Sequence, residues 1–466
     1  MTAPHPAVPA AGGRPALTAQ LVDWAAGLRP ADLPDPVVHQ AKRVLLDYVA
    51  ATLVGSTSGP ARILQRWVSE TEGPGPATVV GTPLRATAAS AALVNGTATH
   101  GLEVDDGYTP GSTHPGGPIG SAVLALAEAR DAGPEELLLA MAVGLEVHCR
   151  IGGAGHPATW RRGFHNTAVN GVFGAAAAAG RLLGADRDVL GDAFGIAGSH
   201  AGGLFEFLHG GGEVKRLHPG KAARDGIVSA ELAVRGLTGP ATVLEGPNGY
   251  LHAFADDDYD ADHLVGGLGA QWRMLGMYVK PYPCCRHLHG PIDAILAMAA
   301  EEPLDVDAVE SVRVETFPAA ARHGGKRIDD FIAAQMSIPY AVAVTMLHGV
   351  PALEHFDTEV RRDPRIARVV DLVEVEEAED CVRDYPAMRP ARVTVRAGGR
   401  ERVLRIDQPY GEPGNPMSDD DLERKLHRLA GPVVGERRCA DIAAAVWALD
   451  DPARLFALLG APDGTR

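Results

Sequence analysis

The feature that most constrains this fold is a change of period along the chain. Up to about residue 270 the apolar residues recur at helical spacing. The pattern then changes: ESVRVETF at 310–317 alternates like a strand, and ARVTVRAGGRERVLRI at 391–406 reads as a hairpin around Gly398 and Gly399. Helices near 330–349 and 358–370 lie between. Ser418 with Asp421 forms a capping-box pattern ahead of a helix at 418–430, and helices continue to the end. A chain of 466 residues exceeds one ordinary core. The expected architecture is mainly α with an inserted α+β domain. An all-helical domain is built from 15–271 and 401–466, an α+β lid spans 272–400, and 1–14 is a disordered tail.

Within the helical part, Asp35 is a good N-cap and Pro36 suits a first helical position. Val37, Val38, Ala41, Leu45, Tyr48, Val49 and Thr52 then form a stripe that Gly55 ends. Further helices are expected at 16–27, 60–70, 86–100, 119–131, 134–151, from 165 onward, at 187–200 and at 221–236. ATVVG at 77–81 is β-like. AGGLFEFLHGGGEVKRLHPGK reads as a loop with a basic end. Aromatic residues are only 5 % while Gly numbers 55, which suits closely packed helices built on small side chains.

Other function classes are excluded by charge and composition. A net charge of −16 argues against a nucleic-acid surface but leaves an anionic small substrate open, because the local field decides. Five cysteines imply no disulfide framework and fit a reducing cytosol. The first residues lack a signal-peptide pattern. The most apolar runs read as short of a membrane span. A cytoplasmic protein with neither nucleic-acid nor membrane partners is expected.

Four segments carry chemistry. Tyr278–Asp293, YVKPYPCCRHLHGPID, crowds Lys280, Cys284, Cys285, Arg286, His287 and His289 between prolines that hold the backbone at low entropic cost. The stretch 100–118 gathers His100, Glu103, Asp105, Asp106 and His114. Its carboxylates and imidazoles suit acid–base or metal chemistry, or the aspartates cap turns. His165 follows Arg161 and Arg162 at a helix head, either in an anion-binding position or as a capping residue. Lys215, Arg216, His218 and Lys221 form a basic run, which is a solvated surface or a set of carboxylate donors. CCRHLH lacks the paired spacing of a structural zinc site, and no CxxC, HExxH, P-loop or GxSxG pattern occurs, so no metal or cofactor is expected. The four segments are expected to converge on one site for a small polyanion.

Together these segments resemble the MmgE/PrpD family. The likeness is carried by AALVNGTATHGLEVDDG, THPGGPIGSAVLALAEA, RRGFHNTAVNGVFGAAAAAGRLLG, VKRLHPGKAARDGIVSAELAVRGLTGPATVLEG, KPYPCCRHLHGPIDA, SIPYAVAVTMLHG and NPMSDDDLERKL, collinear over nearly the whole chain after residue 15. The resemblance implies a helical domain formed by both chain ends, an inserted lid, a homodimer, and a cofactor-free site between the domains. It carries over Asp105 or Asp106, His114, His165, Lys215, Lys280 and Tyr340 as catalytic residues. Glu103, Arg216, Cys285, Arg286, His287 and His289 are the substrate-binding candidates beside them. The chain departs from the family's acidic segment, often LDFDDT, with Glu103 for an aspartate and Gly107 for a threonine. CCRHLH stands where cis-aconitate decarboxylases carry a histidine.

The implied activity is lyase or isomerase chemistry at the carbon next to a carboxylate of a small di- or tricarboxylic acid. A 2-methylcitrate dehydratase-like hydro-lyase comes first. An epimerase or decarboxylase on an iminodisuccinate- or cis-aconitate-like acid, or a non-catalytic carboxylate-binding homologue, are the alternatives. His114 and His165 would flank the reacting carbons, and Lys215, Lys280 and Arg286 would stabilise developing charge.

Overall fold

The computed structural model describes residues 16–207 and 212–460. The tail expected at 1–14 lies outside them. The helices include, in chain order, α1 Leu17–Gly27, α2 Asp35–Gly55, α3 Gly59–Thr71, α4 Ala88–Thr99, α5 Gly116–Arg130, α6 Pro134–Gly155 and α7 Asn166–Leu182. They continue as α8 Arg187–His200, α9 Val214–Val234, α10 His289–Glu301, α11 Ile338–His348, α12 Asp419–Val434, α13 Glu436–Ala448 and α14 Pro452–Leu459. The strands are β1 Ala77–Thr78, β2 Arg85–Ala86, β3 Gly107–Tyr108, β4 Met277–Tyr278, β5 Val309–Thr316, β6 Val373–Glu377, β7 Ala391–Ala397 and β8 Arg400–Ile406. The protein is mainly α with a smaller α+β part.

The chain divides into two compact units: 1–278 with 418–466, and 279–417. The boundaries therefore fall later than the expected 271/272 and 400/401. The reason is hydrogen bonding. β4 pairs with β3 of the helical unit, and every residue of β8 from Arg400 to Ile406 pairs with β7. A cut at 400 would strip a strand from its sheet.

In the helical unit α7 is buried along nearly its whole length, and α6 almost so. A helix buried all round needs neighbours on every side. α6 has 22 residues and is long and apolar enough to cross a membrane by composition, which corrects the expectation of short runs. Here 89 % of its most apolar window is buried by the protein's own helices. Glycine permits close helix crossings. A Cβ on Gly220 of α9 would lie 2.0 Å from the Leu93 carbonyl oxygen of α4, so only a bare backbone fits. This contact accounts for a second correction. α9 begins at Val214, seven residues before the expected start, and runs through Pro219 and Gly220. Tertiary packing overrides their loop preference, and the basic run lies on a helix.

Smaller corrections follow local chemistry. Pro34, not Asp35, is the N-cap of α2, and Asp35 sits in the first turn, where a carboxylate suits the helix dipole. The helices expected at 330–349 and 358–370 are each two: Phe331–Gln335 with α11, and Thr358–Arg361 with Pro364–Leu372. Ser418 and Asp421 form the capping box at the head of α12. Arg43 of α2 pairs with Asp419 of α12, and Lys425 of α12 reaches Asp47 of α2 at 2.5 Å, both ends fully buried. These pairs tie the late segment to an early helix.

The α+β unit has one four-stranded sheet in the order β6-β5-β7-β8, with β5–β6 parallel and the other pairs antiparallel. The β7–β8 turn has Gly398 at φ 55° and Gly399 at φ 73°, the two positive values a two-residue hairpin needs. Val312, Val314, Val393 and Val395 of the sheet form one core with Ile292, Ile295 and Met298 of α10 and with α11. The Val279 N–H donates to the Gly411 carbonyl at 3.1 Å, so the two ends of the inserted segment are joined.

Candidate active site

The acidic loop leaves α4 at His100 and is pinned from two sides. Glu103 takes a left-handed φ of 59° and turns its carboxylate to accept from both Lys215 and Arg216 in the first turn of α9. Arg216 also donates to the His100 carbonyl at 2.9 Å. On the other side Lys425 donates to the Val104 carbonyl at 2.6 Å. Left-handed backbone is uncommon outside glycine and persists where its surroundings over-determine it, as this ion cluster does.

His100 Nδ1 lies 2.6 Å from Asp105 Oδ2, and both side chains are buried. His114 Nδ1 donates to the Asp106 backbone carbonyl at 2.5 Å and lies 3.7 Å from the same Asp105 oxygen. A carbonyl only accepts, so neutral His114 carries its proton on Nδ1 and presents Nε2 as its lone pair. Asp106 Oδ1 accepts the Gly116 N–H at 3.0 Å, at the head of α5. Burial, then the nearby Asp47 and Asp105 carboxylates, push the Asp106 carboxyl well above its ordinary range. The His114 N–H donates to Thr167 Oγ1 at 3.1 Å, and Thr113 Oγ1 meets His148 Nε2 at 2.7 Å. Burial holds His148 down to about 3.

His165 is the N-cap of α7, yet its ring caps nothing. Its N–H donates to the Gly203 carbonyl at 2.9 Å, and its Nδ1 lies 2.8 Å from His218 Nδ1. Burial, then His100, His218 and Lys215, hold His165 well below its ordinary value. Burial, followed by His100 and Lys221, brings His218 down to about 4. The ring of His100 lies 5.0 Å from that of His114 and 5.9 Å from that of His165, and His165 lies 5.0 Å from His218. Four imidazoles thus form a continuous row, with carboxylates at the His114 end and Lys215 near the other. Neutral imidazoles in such a setting can donate, accept and pass protons.

Lys280, Cys285, Arg286, His287, His289 and Tyr340 belong to the α+β unit. Arg286 is spent largely on structure: Nε binds Glu412 at 2.8 Å, and the other nitrogens reach His289 Nδ1 at 2.7 Å and the carbonyls of Tyr410 and Pro409. His289 is fully buried and its Nε2 faces the Cys284 carbonyl at 3.4 Å. These contacts knit the segment to residues 409–412, so Arg286 and His289 hold the fold of this unit rather than offer open donors. The Tyr340 hydroxyl donates to the His355 carbonyl at 2.6 Å inside the unit's core, and burial raises its pKa further. That commitment opposes the expected role of proton donor. Lys280 is buried.

Among the described residues, two groups bring three ligand-type atoms within 4.8 Å of one another: His100, Asp105 and His114, and Cys285, His287 and His323. In the first, His100 Nδ1 and Asp105 Oδ2 are already engaged with each other at 2.6 Å, as in an acid–base array. In the second, His323 Nδ1 donates to the Met336 carbonyl at 2.9 Å and turns Nε2 to Cys285 Sγ, 3.7 Å away. Arg389, which donates to His287 Nδ1 at 3.3 Å, opposes a cation there.

The helical unit therefore assembles Glu103, Asp105, Asp106, His114, His165, Lys215 and Arg216 from three of the four expected segments. It adds His100 and His218, which stood inside the motifs, and Thr113, Thr167 and His148. His148 lies in the apolar run of α6 and had no signal of its own.

Residues 19–262 match the MmgE/PrpD N-terminal domain, and residues 282–451 match the MmgE/PrpD C-terminal domain. The chain is 29 % identical over 474 residues to the cis-aconitate decarboxylase of Aspergillus terreus (strain NIH 2624 / FGSC A1156), covering 96 % of each chain. It is 29 % identical over 478 residues to the cis-aconitate decarboxylase-like protein oryM of Aspergillus oryzae, covering 96 % of this chain and 97 % of that one. It is also 29 % identical over 425 residues to the cis-aconitate decarboxylase of Homo sapiens, covering 87 % of this chain and 85 % of the human one.

Proposed function

The chain belongs to the MmgE/PrpD family, and from that premise we propose that it is a lyase acting on a small di- or tricarboxylate, with decarboxylation of a cis-aconitate-like acid as its reaction. The observation that carries this reading is the row His114–His100–His165–His218, flanked by Asp105 and Lys215, in a chain similar over 96 % of its length to a named cis-aconitate decarboxylase. The order of alternatives expected from sequence changes accordingly. Dehydration of a 2-methylcitrate-like acid becomes the second reading, kept open by Glu103 and Gly107 in the acidic loop.

The chemistry fits the residues. In cis-aconitate one carboxylate sits on a methylene next to a double bond that is conjugated to another carboxylate. When its C–C bond breaks, the electron pair moves through the double bond to the carbon beside the distal carboxylate. That carbon then takes a proton. The protein must supply the proton and stabilise the charge that develops. A histidine supplies the first and the Lys215–Arg216 pair supports the second.

Proton NMR of the purified protein in D₂O with cis-aconitate, citrate, 2-methylcitrate and iminodisuccinate tests this. Decarboxylation gives a pair of methylene vinyl signals and one deuterium at the newly protonated carbon. Loss of water from 2-methylcitrate or citrate would install the hydro-lyase reading instead. Exchange at the α-carbon without net change would point to epimerisation. No change with any acid at high enzyme concentration would leave a carboxylate-binding homologue.

A further inference from the structure

We propose that His100, acting through Asp105, is a positioning residue that lets His114 hold a proton, while His165 works as a neutral hydrogen-bonding ring. The inference rests on the acid–base reading of the cluster. It assigns separate roles to two histidines that the sequence leaves equivalent.

One carboxylate serves two rings. Asp105 Oδ2 lies 2.6 Å from His100 Nδ1 and 3.7 Å from His114 Nδ1. The Asp106 carbonyl already fixes the His114 proton on Nδ1, so Nε2 is the atom that gains and loses a proton. Once Nε2 is protonated, the imidazolium has an anionic oxygen beside its other nitrogen. An opposite charge at this range favours the charged ring.

His165 has the reverse surroundings. His218, His100 and Lys215 face it, and each opposes a further positive charge. Its Nδ1 is already engaged with His218. A ring held neutral there can orient or polarise a carboxylate oxygen but cannot store a proton.

His100 serves by staying uncharged. Its ring is fully buried and its Nε2 has no hydrogen-bond partner among the described residues; burial outweighs the pull of Asp105 towards the charged ring, and the Lys215 charge adds to burial, so the ring is held below its ordinary value. It can therefore donate Nδ1–H to Asp105 without neutralising it. The other charged groups near this array are matched. Glu103 is held by Lys215 and Arg216, Asp47 by Lys425, and Asp106 by the Gly116 N–H in a setting that favours its protonated form. His148 stays neutral behind Thr113. In the decarboxylation step the C–C bond to the departing carboxylate breaks as CO₂ leaves. Its electron pair becomes the carbanion, and His114 Nε2–H gives that carbon a proton and returns to neutral.

The test is ¹⁵N NMR of the imidazoles in ¹⁵N-histidine-labelled full-length protein, titrated without substrate, with His114→Asn and His165→Asn used for assignment. His114 is expected to charge at higher pH than His165. Asp105→Asn should lower the His114 midpoint by about one pH unit or more. His100→Leu should do the same, and His100→Asn, which keeps an N–H donor towards Asp105, should restore much of the shift. If His100→Leu does not fold, as judged by circular dichroism, the Asp105→Asn and His100→Asn pair still decides. An unchanged His114 midpoint in Asp105→Asn, or His165 charging first, overturns the assignment. The two readings fail separately. Expected midpoints without turnover of any acid would sink only the decarboxylase, and turnover with immobile midpoints would sink only this assignment.

Discussion

His165 and His218 meet nitrogen to nitrogen, with their Nδ1 atoms 2.8 Å apart. A contact of that length needs one proton between the rings, so one donates and the other accepts, and both cannot be charged together.

Buried imidazoles such as His218 of this pair and His148 give the protein an acid-side weakness. In the unfolded chain an imidazole takes its proton near 6.5, whereas folded His218 resists to about 4 and His148 to about 3. Between those values the unfolded state binds more protons, so stability is full above about pH 6.5 and is lost as pH falls towards 4 and below. Urea midpoints measured from pH 8 to 4.5 should be flat at first and then drop. His148→Gln and His218→Gln should each remove part of the slope. An identical slope in both variants would show that other groups govern acid unfolding.

The histidines of the row should separate activity from folding. His114→Ala and His165→Ala are each expected to lower turnover by about 10²–10⁴-fold while melting within a few degrees of the parent. Turnover near the parent rate in both variants, measured by product formation, would remove these rings from the mechanism.

The buried Lys425–Asp47 pair should be costly to break and cheap to replace. Lys425→Met alone leaves the Asp47 carboxylate buried without its ammonium, and is expected to destabilise by about 3–5 kcal/mol in denaturant unfolding. The double change Asp47→Leu with Lys425→Met should recover most of that loss, because two apolar groups need no partner. A double variant no more stable than the single one would assign the effect to the Val104 carbonyl, which Lys425 also holds at 2.6 Å.

Cysteine reactivity should be selective. Cys149, Cys284, Cys381 and Cys439 are buried, and Cys285 is partly exposed with His323 Nε2 3.7 Å from its sulfur. Maleimide added to native protein should label Cys285 first, and Cys285→Ser should abolish the fast phase seen by mass spectrometry. Fast labelling that persists in Cys285→Ser would place the reactive thiol elsewhere.

Much of the architecture was legible because it depends on period and turn chemistry. The alternation of 310–317, the Gly398-Gly399 turn and the Ser418–Asp421 box each specify their element locally. What the sequence hid depends on contacts made at a distance. Pro219 and Gly220 look like a loop until the approach of Leu93 explains them. The same holds for the site. His114, His165 and Lys215 stand out in their motifs, but the partners of Tyr340 and Arg286 are carbonyls and a carboxylate 15 and 126 residues away, which no local pattern announces. His148 stands between Glu146 and Arg150 in an otherwise apolar stretch, and nothing local separates its role from theirs.

The pin on the acidic loop also sets an order of events during synthesis. Lys425 and the Val104 carbonyl it holds are 321 residues apart. A ribosome must translate the whole inserted unit before the loop carrying Asp105 and Asp106 gains that anchor. Residues 279–417, with their own core and joined ends, have what they need to fold first as the chain emerges. Competence for proton chemistry is then acquired late, when α12 leaves the ribosome and docks on a helix made long before it.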